Sequence, residues 1–78
     1  MNKDEVRAKV SQMVKDAAGE TYAEGASFKK MDIDSIERIE MIYDVEQRFR
    51  IAIDDDTADR IKNEELLINA VLARVDAE

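Results

Sequence analysis

The chain contains no cysteine, no histidine, no proline and no tryptophan in 78 residues. Without the first two there is no thiolate nucleophile, no imidazole acid or base and no disulfide, and the usual zinc and blue-copper ligand sets are missing. Glycine occurs only twice, which with the absence of proline leaves too few turn residues for a β-sandwich and suits a helical chain. No apolar run is long enough to span a bilayer. The polar start, Met1-Asn2-Lys3-Asp4-Glu5, has no signal-peptide apolar stretch, so a cytoplasmic protein without a membrane span is expected. Bases are also scarce: 12 against 19 acids, a formal net charge of −7. That balance argues against nucleic acid as a partner and for something basic. The length allows one domain, residues 1–78, whose core buries about 60% of the unfolded chain's surface. Two carboxylates held across a glycosidase cleft would find little room in it.

The distribution of charge is more informative than its sum. Residues 1–31 carry 6 bases and 5 acids, residues 32–65 carry 5 and 12, and residues 66–78 carry 1 and 2. The middle segment therefore holds the whole net charge, and an electrostatic partner should meet the chain there.

Val6, Val10, Met13, Val14 and Ala17 form one helical stripe, and Gly19 supplies a stop. From Glu20 to Ile33 no clean period survives, which reads as a loop. Loops above about 12 residues are usually functional or pinned by their own side chains; here Phe28, Met31 and Ile33 are the candidate pins. Asp34 followed by Glu37 is a capping-box-like pair ahead of a periodic run, so the strongest helix is expected to start at Ser35 and run to Phe49. Any of Asp54, Asp55 and Asp56 can cap a short helix through Ala58 and Ile61. A last helix is expected from about Glu65 to Arg74, with Leu67, Val71 and Val75 spaced by four beside Ile68 and Leu72. The expected architecture is all-α: a four-helix bundle with a short third helix and a long loop between helices one and two.

On a wheel of about 100° per residue counted from Ile36, the residues Met41, Ile42, Val45 and Phe49 fall between about 140° and 240° and make the core side. Tyr43, Ile36, Gln47, Glu40, Asp44 and Glu37 occupy the opposite face, with Ile39 on its border. Isolated surface hydrophobics are common. A small apolar centre ringed by carboxylates is also what a transient docking face for a basic surface requires. Ser35 lies at the foot of this face, where unpaired N–H groups and the positive end of the helix dipole favour an attached phosphate. With no histidine as its base, Ser35 cannot be activated by the usual route. Any modification there is the work of another enzyme.

The segments Ala26-Ser27-Phe28, Met31-Asp32-Ile33-Asp34-Ser35-Ile36, Ile39-Glu40-Met41, Val45-Glu46-Gln47-Arg48-Phe49, then Ile53 and Ala58-Asp59-Arg60-Ile61 together resemble the acyl carrier proteins of the stand-alone type. The resemblance covers nearly the whole chain. It implies a non-catalytic monomer in which Ser35, flanked by Asp34, carries a 4′-phosphopantetheine donated from coenzyme A by a phosphopantetheinyl transferase. The arm would bring the thiol that the chain lacks and hold acyl intermediates as thioesters for enzymes of fatty-acid, polyketide or related lipid biosynthesis. Glu37, Glu40, Asp44 and Glu46 resemble the acids that dock on basic patches of those enzymes, with Ile36, Ile39 and Tyr43 among them. An acyl tail would shelter between the second and third helices over Ile53, Ala58 and Ile61. Several positions depart from the family pattern and point to a specialised member. Ile36 replaces Leu after the serine, Asp32 replaces Gly three residues before it, Asp54 replaces Pro near the third helix, and Arg38, Arg48 and Arg50 add positive charge; Asn63-Glu64-Glu65-Leu66 lacks the usual Thr-Val.

Two readings from the residues stand beside this one. The chain could serve as an unmodified helical adaptor, or as an aminoacyl or peptidyl carrier. A calcium loop of EF-hand type beginning at Asp32 fails, because it needs Gly at Glu37 and Glu at Tyr43. No defined metal site is expected, and loose divalent binding by Asp32, Asp34 or the Asp54–Asp56 run stays open.

Overall fold

The first helix, α1 (Lys3–Ala18), begins where the Asn2 side chain accepts from the Glu5 N–H at 2.8 Å, and Asp4 and Glu5 face its positive end. Val6, Val10 and Val14 are buried, and Gly19, at φ 61°, ends the helix in a conformation that costs glycine little. Ala17, expected on the buried stripe, is exposed, and Ala18 is half-buried instead. The Ala17 methyl is too short to close the gap to the next helix, which opens there as a shallow groove shared with Met13, Glu37 and Glu40. A computed structural model describes residues 1–75 of the chain.

The irregular stretch contains two 3₁₀ turns, Gly19–Thr21 and Lys29–Met31, which the sequence pattern does not announce. Phe28, Met31 and Ile33 are the pins expected of it, each no more than 4% exposed. The Thr21 hydroxyl donates to the Ala18 carbonyl at 2.8 Å and also lies against that of Met31. On the far side the Phe28 N–H donates to the Lys62 carbonyl at 2.8 Å, beside an isolated antiparallel bridge between Ser27 and Asn63. The stretch is therefore tied down at both ends.

Helix α2 (Ser35–Phe49) opens with the reciprocal cap. The Glu37 N–H donates to Asp34 Oδ1 at 2.8 Å, and the Asp34 N–H donates to Glu37 Oε1 at 3.2 Å. The core side of the wheel holds: Met41, Ile42 and Val45 are buried and Phe49 is half-buried. Arg50 ends the helix at φ 55°, with the Ile51 N–H reaching back to the Glu46 carbonyl at 3.1 Å as in a Schellman closure. Helix α3 (Asp55–Arg60) is capped by Asp54, the first acid of its run, and contains no buried residue; Ile53 and Ile61, just outside its ends, are 7% and 2% exposed. Helix α4 (Glu64–Leu72) starts one residue earlier than expected, because the Asn63 side chain accepts from the Leu66 N–H at 2.8 Å, and it ends two residues short of Arg74.

Among the described residues the fold is all-helical, with four α-helices and no strand. Helix α1 packs against both α2 and α4, and Val6, Val10 and Val14 meet Met41, Ile42, Val45, Leu67, Ile68 and Val71 in one core cluster. Burying each such side chain contributes about 1.5–3 kcal/mol. No charged residue lies in this core, and no buried side-chain nitrogen or oxygen among the described residues lacks a partner.

Two non-glycine residues adopt the left-handed conformation, Asp32 at φ 57° and Arg50 at φ 55°. Aspartate tolerates it through local hydrogen bonding, whereas a long side chain gains nothing there. Arg50→Gly should stabilise the fold by about 0.5–1 kcal/mol, once the entropy of glycine is set against the relieved strain. Asp32→Gly should gain less. Urea unfolding of both variants checks the order; the reverse order would refute the argument.

Candidate functional site

Ser35 is the first residue of α2 and is exposed. The cap is made by Asp34 and Glu37, so it leaves the serine hydroxyl out and commits both neighbouring carboxylates to backbone N–H groups. Beside the hydroxyl lies a groove of about 610 Å³ with Phe28 and Ile33 at its base and Lys29, Arg38 and Lys62 around it. An esterified hydroxyl here would hold an anion next to three cations and the positive end of a helix of 15 residues. The residues present thus fit a phosphodiester at Ser35.

Away from the core, Ile36, Ile39 and Tyr43 are 68%, 60% and 58% exposed. Glu37, Glu40 and Asp44 are exposed around them, so seven of the nine sequence-chosen site residues, from Ser35 to Asp44, share this end and face of α2 with Asp34 at its foot. Glu46 differs. It is half-buried, and its Oε2 accepts from the Ile53 N–H at 2.9 Å, which fastens the link between α2 and α3. At about 280° on the wheel it lies between the core side and the exposed face.

A second groove, of about 430 Å³, runs between α2 and α3 and is lined by Ile39, Ile42, Tyr43, Ile53 and Ala58. Ile53 and Ala58 lie where an acyl tail is expected to shelter. Ile61 does not line this groove: as the residue that ends α3 it turns into the core, 2% exposed. Arg38 borders both grooves, and its Nη1 donates to the Ala58 carbonyl at 2.6 Å. Its wheel angle of about 200°, in the middle of the core side, is the signal that would have singled it out.

Arg74 fastens α3 from the other side. Its guanidinium donates to the carbonyls of Ala52 at 3.0 Å and Ala70 at 2.9 Å, and pairs with Asp54 at 3.3 Å. Asp54 also accepts from the Thr57 hydroxyl at 2.7 Å and the Thr57 N–H at 3.2 Å. The Thr57 hydroxyl, then the Thr57 N–H, hold the Asp54 carboxyl below the ordinary carboxylate value. Tyr22, another residue that the sequence pattern passes over, donates its hydroxyl to Glu64 Oε1 at 2.8 Å, and that bond, followed by burial, pushes the phenol up. Among the described residues no three acidic side chains converge so as to hold a metal ion, the Asp54–Asp56 run included.

Comparison of the chain with protein-family models, with curated proteins and with solved structures finds no match. Among the described residues no helix is long and apolar enough to cross a membrane.

Because the folded Asp54 carboxyl lies below its unfolded value of about 3.9, its stabilising effect is complete above that value and is lost as pH falls through the depressed one. Amide-exchange protection at Thr57 and Ala58 should therefore drop on acidification before that at Val10 and Val14. In Asp54→Asn this early drop should disappear. Parallel loss in both segments of the wild type would contradict the assignment.

Proposed function

We propose that this chain is an acyl carrier protein, a four-helix carrier bundle whose Ser35 bears a 4′-phosphopantetheine. The observation that carries the reading is the exposed hydroxyl at the first position of a box-capped helix, at the foot of an apolar face ringed by carboxylates. The bound arm would supply a thiol on which acyl groups travel as thioesters. The chain's own residues position and present it. Asp34 and Glu37 fix the start of α2 and so the place of Ser35 at its first position. Lys29, Arg38 and Lys62 offset the phosphodiester charge. Ile36, Ile39 and Tyr43, with Glu40 and Asp44 beside them, meet enzymes that display basic patches. With no histidine in the chain to serve as its base, Ser35 is not activated by the usual route, so loading falls to a phosphopantetheinyl transferase. The carrier works as a cytoplasmic monomer.

Mass spectrometry after incubation with coenzyme A and a broad-specificity transferase should find one phosphopantetheinyl group on Ser35 and none on Ser35→Ala. An unchanged mass in the wild type would overturn the reading. An adaptor would keep its partner binding in the alanine variant, whereas a carrier loses its function.

Docking by charge predicts a second result. Glu40→Lys or Asp44→Lys should slow association with the transferase several-fold at low salt, and the defect should shrink as screening rises towards a Debye length of about 8 Å. Glu46→Lys should instead lower stability by freeing the Ile53 N–H. Stopped-flow association across ionic strengths separates the two; a salt-independent defect would count against electrostatic docking.

A further inference from the structure

The two grooves that flank Arg38 differ in sign. The one beside Ser35 is bordered by Lys29, Arg38 and Lys62 against the single carboxylate of Asp34, which is already bonded to the Glu37 N–H. The one between α2 and α3 is bordered by Glu46, Asp55 and Asp59 against Arg38 alone. At physiological ionic strength charges act over about 8 Å, so these local sets, and not the net −7 of the chain, decide where a phosphate on Ser35 settles. Arg38 is three residues beyond Ser35, and such helix neighbours have Cβ atoms about 5–6 Å apart. With one N–H given to the Ala58 carbonyl, its guanidinium keeps other donors for a phosphate oxygen.

We propose that the groove formed by Phe28, Lys29, Ile33, Arg38 and Lys62 is the seat of the phosphopantetheine arm, with Arg38 as the partition that keeps the phosphate end out of the α2–α3 groove. This rests on the reading of Ser35 given above. The seat is preformed. Phe28 and Ile33 belong to the core at 1% and 4% exposure, and the Phe28 N–H to Lys62 carbonyl bond of 2.8 Å fixes one cationic wall to the base. Apolar base and cationic rim match an arm whose phosphate is followed, one methylene further on, by a carbon bearing two methyl groups. Lys29 and Lys62 are exposed and take no part in the core, so they can be changed without unfolding the chain.

The test uses the modified full chain, its loading first verified by mass. Nuclear Overhauser effects from the arm's geminal methyls should reach Phe28 and Ile33, and modification should shift the amide signals of Ser27, Phe28 and Lys62. In Lys29→Gln/Lys62→Gln these effects should be lost and the phosphorus resonance should move towards that of the same phosphodiester in the urea-unfolded modified chain. Contacts to Ile42, Ile53 or Ala58 instead, or an arm with no contact beyond Ser35 and Ile36, would overturn the seat while leaving the carrier reading intact. Failure of Ser35 to take up the group at all would overturn both.

Discussion

The reciprocal cap between Asp34 and Glu37 fixes the residue at which α2 begins, and much of the molecule follows from that choice. It leaves the Ser35 hydroxyl outside the cap and exposed. It also places the start of the helix about a turn and a half before its first core residue, Met41. From that start Met41, Ile42 and Val45 turn into the core, while Ile36, Ile39 and Tyr43 turn out. Burial of that core face holds the helix at this phase. The cap acts with the pins behind it, because Phe28, Met31 and Ile33 hold the incoming chain against the same core.

Features written in neighbouring residues were legible in the sequence. The Asp34–Glu37 box, the Gly19 stop, the core stripe of α2, that of α1 apart from Ala17, and the three pins of the irregular stretch need only local spacing. What escaped depends on partners far along the chain. Arg38 at a core-facing angle is visible on a wheel, but the Ala58 carbonyl that receives it is 20 residues away. Glu46 looked like one more surface acid because its partner, the Ile53 N–H, belongs to a link with no period of its own. Tyr22 and Glu64 are 42 residues apart, a pairing that no local pattern encodes. The start of α4 was missed by one residue for a simpler reason: two glutamates follow Asn63, and the capping side chain rather than the acids marks the boundary.

The polar staples are not spread evenly. Helix α1 reaches α2 and α4 through valines, adding the exposed Arg7–Glu65 pair at 2.9 Å, and exposed pairs contribute little. Around α3 the balance is reversed: Arg38, Glu46, Asp54 and Arg74 all hold it or its links, through backbone groups as much as through side chains. The same arginine that secures α3 also borders two grooves of opposite sign.

That α3 contains no fully buried residue has a kinetic consequence. Where a folding transition state forms around apolar contacts such as those of Val10, Val45 and Leu67, bonds that need a finished scaffold close after it. Changes in α3 should therefore shorten or lengthen the lifetime of the native state while leaving the speed of its formation nearly untouched.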